Sequence, residues 1–443
     1  MEIRVGIISG EEISFILKGN FRDAMSNNLF SGEIVALQEK NSHVMLKNDM
    51  GLSKLPLPLT LEPVDASNAS FILRDVCIGK DFHWQRSEDQ EFKGKLQLIV
   101  GQEGLAAVNQ IDIEDYLKSV ISSEMSASSS INLLKAHAVI SRSWLLAQIR
   151  KTEKLAEEEV YNSCHKTEDS CIRWYDREEH TDYDVCADDH CQRYQGITRA
   201  TSPAVSDAVE ATRGEVLMYD GEICDTRFSK CCGGVTELFE NVWEPKVHPY
   251  LQSFADADAG SLTPIPDLRT EAGAESWIRG NFDSYCNCKD HEVINQVLNS
   301  YDRETPDFYR WKIELSQEEL QHLLKEKAGL ELGEIHDLIP VERGVSGRII
   351  QLKIVGSKGT FTIGKELEIR RALSKSHLYS SAFIVEKSLQ RNGIVSYFTL
   401  IGAGWGHGVG LCQIGAAVMG AKGIEYRKIL SHYFRGAELQ KLW

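Results

Sequence analysis

Apolar and polar residues alternate along much of the first hundred positions. Glu2 to Ser9, Glu12 to Lys18 and Glu33 to Leu46 keep a period of two, broken by Gly, Asn and Ser, and predict short strands. Leu55-Pro-Leu-Pro-Leu-Thr60 reads as a proline-punctuated edge or linker, because proline cannot donate to a central ladder. The β pattern continues through 69–110, where Gly94-Lys-Leu-Gln-Leu-Ile-Val100 alternates and 101–104 forms a turn. The period then changes. Ile113, Leu117, Val120 and Ile121 recur at helical spacing behind Asp112, a good N-cap, and predict a helix to about Met125. A second helix is expected over about Ile131 to Lys154. Strands are expected again from Gly214 to Phe228, and a mostly helical stretch near 273–300. Alternation returns at Trp311 to Leu315 and Ile335 to Ile363, around turns at Gly344 and Gly356-Ser-Lys-Gly359. The fold class is α+β: mixed β units with a helical segment that carries the chemistry, and a cleft between two packed domains. The boundaries read as a β-rich segment over 1–66 and a main region over 67–443, with an irregular Cys/His-rich insertion at about 160–200. There is no internal repeat and no low-complexity tract.

The first helix places a carboxylate on its apolar side. Glu124 lies three past Ile121 and four past Val120, on the stripe expected to be buried. Burial raises a carboxyl pKa, and such an acid can protonate a leaving oxygen near neutral pH. The bland reading is a solvated carboxylate at a helix end. On the second helix, Lys135 and Arg142 are seven residues apart, so both cations project from one face, about 10 Å from each other. They either meet an anionic substrate or hold Glu124 by charge; a plain solvated cationic face is the remaining reading.

The composition narrows the field. The chain has 443 residues, 42% apolar and 26% charged, as in ordinary globular proteins of two or more packed units. The net charge of -16 argues against a general nucleic-acid binder. No apolar window approaches the length of a membrane span. Met1-Glu-Ile-Arg-Val-Gly-Ile-Ile8 lacks the pattern of an export signal. Eleven cysteines is an odd number, so at least one is unpaired or ligating. His180, Cys186, His190 and Cys191 offer two thiols and two imidazoles within twelve residues, a common donor set for tetrahedral zinc. Free thiols or a disulfide are the alternative. Cys164, His165 and Cys171 are substitute ligands.

Two glycine-rich stretches stand out. Gly402-Ala-Gly-Trp-Gly-His-Gly-Val-Gly410 implies backbone in conformations other residues avoid, or pressed against a ligand. His407 and Gln413 are the polar groups this segment would present, as hydrogen-bond partner or orienting group and as sugar contact. In Cys231-Cys232-Gly233-Gly234 the glycines permit close approach, and Cys232 is a candidate substrate contact, with a cysteine nucleophile as the rival role.

These stretches carry a resemblance. Gly404-Trp-Gly-His-Gly-Val-Gly410 with Gln413, Gly415 and Ala416 resembles the closing signature of the SpoIID and LytB family. The tail Gly423 to Gly436 is similar to that family's ending. Ser123-Glu-Met125 followed by Leu134-Lys-Ala-His-Ala-Val139 and Arg142 resembles its "EMP…LKAQAVAAR" block. Ala211-Thr-Arg-Gly-Glu-Val-Leu-Met218, Phe228 to Thr236 and Val242-Trp243 resemble its "TRGEVL…GG.T…VW" block. The likeness covers roughly 90–443. It implies a peptidoglycan lytic transglycosylase that cleaves MurNAc–GlcNAc bonds of glycan strands stripped of peptide stems, leaving 1,6-anhydro ends. Glu124 would be the catalytic acid and base, and Lys135, Arg142, His407, Gln413 and Cys232 would bind substrate. It also implies structural zinc at the His180–Cys191 stretch, a cell-envelope location, a glycan strand as partner and no nucleic acid. The LytB branch supplies the alternative, a non-catalytic glycan binder that enhances a cell-wall amidase; a zinc hydrolase is a third. One departure stands out: Ser126 occupies the place of the family's proline after Glu-Met.

Overall fold

The computed structural model describes residues 1–39, 42–49, 51–79, 85–101, 104–126, 128–155, 163–174, 181–188, 191–199, 202–258, 260, 264–297, 308–391 and 393–443. The fold is α+β, in two compact units, both discontinuous in sequence. The first comprises Met1–Ala127, Arg177–Gly214 and Trp443; the second comprises Ser128–Asp176 and Glu215–Leu442. No helix among the described residues is long and apolar enough to cross a membrane.

The first unit is built on an eleven-stranded sheet. Its path runs Val185–Cys186, Glu2–Gly10, Gly104–Asp112, Lys95–Gly101, Leu59–Pro63, Glu12–Asp23, Leu29–Glu39, His43–Asn48 and Gly51–Pro56. Ser70–Ile78 also pairs with Glu12–Asp23 and carries Arg86–Phe92 beyond it. Pairing runs straight through residue 66, because Leu59–Pro63 and Ser70–Ile78 both hydrogen-bond to Glu12–Asp23. The proline-bearing strand Gly51–Pro56 ends the path, where a missing N–H costs no ladder bond. Alternate residues Ile13, Phe15 and Leu17 are buried, as a period of two requires.

An aromatic column fills this core. Phe21, Phe71, Phe92 and Tyr194 follow one another with centroid spacings of 6.3, 5.5 and 5.8 Å, and Tyr194 stacks on Tyr116 at 5.0 Å. The Tyr194 hydroxyl donates to Asn109 Oδ1 at 2.6 Å inside the core. Asp112 Oδ1 accepts from the Glu114 N–H at 3.0 Å and starts helix Ile113–Glu124. The helix buries Ile113, Tyr116, Leu117, Val120 and Ile121 completely, each aliphatic side chain stabilising by about 1.5–3 kcal/mol.

The second unit combines helices with several small sheets. Helix Ile131–Leu155 packs against helices Gln413–Ala421 and Tyr426–Tyr433. A five-stranded sheet runs Cys164–Lys166, Ser170–Arg173, Gly359–Gly364, Ile349–Gly356, Ile335–Arg343. Val395–Ala403 is central between Arg310–Ser316 and Phe383–Leu389. Trp311, Leu324, Ile354, Ile369, Phe383 and Phe398 join these two sheets to helix Gln317–Ala328 in one apolar core. Short strands Phe228–Ser229 and Leu411–Cys412 pair in parallel beneath the glycine-rich segment. Residues 164–173 and 185–186, read together as one irregular stretch in the sequence, go to different sheets.

Candidate functional site

Glu124 is the last residue of helix Ile113–Glu124 and is half-buried. The helix carries two other acids, and both are engaged. Glu114 is buried and accepts from the Gly214 N–H at 3.1 Å, and Asp115 pairs with Lys118 at 2.9 Å. Among the described residues no hydrogen bond or ion pair occupies the Glu124 carboxylate.

The polar residues of helix Ile131–Leu155 separate by environment. Lys135 is half-buried, its ammonium 5.8 Å from the Tyr426 ring centroid. Arg142 is wholly buried and donates from Nη1 to the Glu215 carbonyl at 2.9 Å. Of these two cations, Lys135 is accessible and Arg142 is an internal strut. His137, between them, was singled out by no sequence argument. It is fully buried, its Nε2 3.2 Å from Gln413 Nε2 and its Nδ1 3.1 Å from Ser141 Oγ. An amide NH2 only donates, so His137 Nε2 accepts and the ring proton sits on Nδ1, directed at Ser141. Burial, reinforced by the Lys230 charge, pushes the His137 pKa down to about 3, so the ring is neutral. Gln413 is buried in this contact.

The glycine-rich segment is held as its composition requires. Gly404, Gly406, Gly408 and Gly410 all have positive φ, 71° to 89°. Added Cβ atoms would lie 2.4 Å from Arg348 Cζ at Gly408 and 2.1 Å from the Arg227 carbonyl at Gly410. The backbone is thus pressed against protein groups. Arg348 Nε donates to the Gly406 carbonyl at 3.1 Å, and Trp311 Nε1 donates to that of Gly404 at 3.0 Å. Trp405 stacks on Phe308 at 4.7 Å. His407 packs edge-on against Trp243 at 4.7 Å, and its Nδ1 accepts from the Val409 N–H at 3.0 Å. Burial first, then the charges of Arg227, Arg348 and Arg370, hold the His407 pKa well below the usual range, against an opposing hydrogen bond that the ring donates to the Phe228 backbone. The ring is a neutral group that orients the loop.

Cys232 is buried, not exposed on the loop. Its sulfur lies 3.4 Å from Asp256 Oδ2 and 3.6 Å from Cys286 Sγ. Cys232, Asp256, Cys286 and Cys412 offer one donor atom each, all within 4.8 Å of one another, a donor set able to hold a metal ion. Burial raises the Asp256 pKa, and the hydrogen bonds from His432 and Tyr433 oppose it. Of the zinc set expected from the sequence, His180 and His190 lie outside the described residues. Cys186 and Cys191 are half-buried; Cys186 ends strand Val185–Cys186, in parallel register with Gly6 of strand Glu2–Gly10.

Comparison with known proteins agrees with these motifs. Residues 101–219 match the family model described as stage II sporulation protein, SpoIID, and 237–410 match a domain of unknown function, DUF8618. The chain is 27% identical over 349 residues to an uncharacterized protein of Brachyspira hyodysenteriae, covering 79% of this chain and 72% of that one. It is 22% identical over 336 residues to stage II sporulation protein D of Bacillus subtilis, 76% of each chain. It is 24% identical over 343 residues to the amidase enhancer of Bacillus subtilis, 73% of this chain and 40% of that longer one. Residues 101–219 thus carry a SpoIID domain, and about three quarters of the chain is similar to stage II sporulation protein D and to an amidase enhancer.

Proposed function

We propose that this protein is a lytic transglycosylase acting on the MurNAc–GlcNAc bonds of peptidoglycan glycan strands at the cell envelope. The observation that carries the reading is the Glu124 carboxylate: it ends the family's first motif helix and is the one acid of that helix with no protein partner among the described residues. A hydrolase of the common kind needs a second carboxylate to activate water or form a glycosyl intermediate. A muramic acid residue brings its own nucleophile. Glu124 protonates the glycosidic oxygen as the C1–O bond breaks; the 6-hydroxyl then bonds to C1 and gives its proton to the same carboxylate. One acid serves both steps, and the product ends in a 1,6-anhydro ring.

Lys135, the accessible cation of the family motif on its helix, suits a sugar carboxylate. Within the second unit, Arg142 and His407 bind the backbone of Glu215 and Val409, and Gln413 joins its helix to His137. The His180–Cys191 stretch is assigned to structural zinc, with Cys186 and Cys191 as its thiol ligands.

The similarity to an amidase enhancer supports a second reading, a glycan binder that stimulates a cell-wall amidase without cutting. Digestion of stem-free glycan followed by mass spectrometry separates the two. Anhydro-ended fragments from wild type and none from Glu124→Gln support the transglycosylase. Stimulation of an amidase by both proteins, with no anhydro product from either, supports the enhancer.

A further inference from the structure

We propose that Cys232, Asp256, Cys286 and Cys412 form a closed structural site for one thiophilic divalent cation, zinc by ligand chemistry, that pins the backbone beneath the glycine-rich segment. This donor set shares no residue with the His180–Cys191 stretch. All four side chains are buried, with exposures of 3, 0, 2 and 0%. Three thiols converging on a carboxylate give a packed core nothing that apolar residues would not supply, and a buried carboxylate ordinarily needs a cation or hydrogen-bond donors.

The spacing matches one ion. Metal–sulfur bonds of about 2.3 Å in a tetrahedron place the sulfurs about 3.8 Å apart, with a sulfur–oxygen edge slightly shorter. The sulfurs of Cys232 and Cys286 are 3.6 Å apart, and Cys232 Sγ is 3.4 Å from Asp256 Oδ2. An iron–sulfur cluster needs room among its thiolates for several irons and sulfides, which atoms all within 4.8 Å do not leave. Soft sulfur donors favour zinc over calcium or magnesium, and four protein ligands leave no open position, so the role is structural.

The surroundings are those of a prepared cage. His432 Nε2 and the Tyr433 hydroxyl lie 3.0 and 2.9 Å from Asp256 Oδ1, which orients Oδ2 toward the sulfurs. The Gly234 N–H donates to Cys232 Sγ at 3.4 Å, and the Cys232 N–H donates to Cys412 Sγ at 3.2 Å. Backbone bonds fix the ligand loops to one another: Asp256 N–H to the Gly234 carbonyl at 3.0 Å, and Tyr285 N–H to that of Asp256 at 2.7 Å. Buried Arg348 donates to the Cys232 carbonyl at 3.2 Å and offsets part of the ligands' negative charge. A surface cavity of about 240 Å³ has Cys286 in its wall and provides a route for the ion. On loading, the three thiols release their protons and become thiolates, so binding strengthens as pH rises.

The site ties the loop segments of Cys232, Asp256 and Cys286 to strand Leu411–Cys412. The neighbouring Cys231 exchanges backbone hydrogen bonds with Trp405 at 2.8 and 3.0 Å. Metal loss should therefore loosen the glycine-rich segment before it affects the apolar core.

The test is elemental analysis of the purified full chain beside variants. Cys286→Ser is expected to carry one equivalent less zinc than wild type, while Cys224→Ser, which alters a buried thiol outside the set, carries the wild-type amount. Asp256→Cys, which keeps four donors, covers the case in which Cys286→Ser does not fold: it should retain the ion, and its cobalt-loaded form should gain thiolate-to-metal absorption. Equal metal content in wild type and folded Cys286→Ser overturns the proposal. So does a Cys232–Cys286 disulfide in non-reducing peptide maps of the wild type, or an Asp256→Cys cobalt spectrum identical to wild type.

Discussion

His137 and Gln413 meet 3.2 Å apart in the interior of the second unit, one from helix Ile131–Leu155 and the other from the first turn of helix Gln413–Ala421. The contact couples two motifs separated by 276 positions, and it works only while the imidazole is neutral. The resembling family block carries Gln where this chain has His137, so the chain has placed a titratable group in a buried joint.

That joint predicts acid sensitivity. The His137 pKa falls from about 6.5 unfolded to about 3 folded, so the unfolded chain takes up the proton first. Stability is complete above pH 6.5 and is lost as pH falls toward 3, by up to about 1.4 kcal/mol per pH unit. His407 acts in the same direction. In urea titrations at pH 7 and pH 5, His137→Gln should lose about 2 kcal/mol less than wild type on acidification. Equal losses in both proteins would exclude the assignment.

The acids of helix Ile113–Glu124 should behave oppositely. Glu124→Gln is expected to lower glycan cleavage by about 10²–10⁴-fold, the usual worth of a general acid, with little change in melting temperature. Glu114→Gln keeps an acceptor for the Gly214 N–H and should retain activity within a few-fold, with a stability loss of about 1 kcal/mol. Reversal of these phenotypes would remove Glu124 from the chemistry.

Tyr194→Phe should destabilise the first unit by about 1–3 kcal/mol, because Asn109 Oδ1 loses its buried donor. Its other partners confirm the geometry: the Asn109 amide is already committed to the Lys93 and Lys95 carbonyls at 2.8 and 3.1 Å. Thermal melts that superimpose on wild type would contradict this.

Gly408→Ala should be more costly than Gly423→Ala. Both glycines have a φ of 77°, so each pays about 1–2 kcal/mol for a left-handed alanine. At Gly423 a Cβ meets open space, whereas at Gly408 it meets the buried Arg348 guanidinium at 2.4 Å. Comparing the two melts isolates the steric part, and equal losses would deny that Arg348 packs there.

Much of the fold was legible in local pattern. Asp112 and the Ile113, Leu117, Val120, Ile121 stripe marked the first helix to within a residue, and alternation marked the strands within 335–364. Helix Gln317–Ala328 was missed although Ser316 and Glu319 form a capping box, because its apolar positions are few between charged ones. The stretch near 273–300 is less helical than expected: Gly280 ends helix Glu271–Arg279, and His291–Ile294 is a single turn. At the site, motif likeness singled out Glu124, Lys135, Arg142, His407 and Gln413. Asp256, Cys286 and His432 were invisible because their meeting is tertiary. No spacing rule joins Cys232 to a carboxylate 24 positions on, a thiol 54 on and another 180 on. The burial of Arg142 was equally hidden, since periodicity gives a side chain's direction and not what stands over it.

The division of the chain has a consequence for biosynthesis. The first unit is interrupted after Ala127 and resumes at Arg177, and the returning stretch brings Tyr194, the ring that closes the aromatic column on Tyr116. A ribosome that has released only the first 127 residues has made most of the large sheet without its last wedge. Cooperative closure of that unit must wait for translation to pass residue 214, while the second unit is already under construction in between. Nascent chains stalled before and after that point should differ sharply in protease resistance.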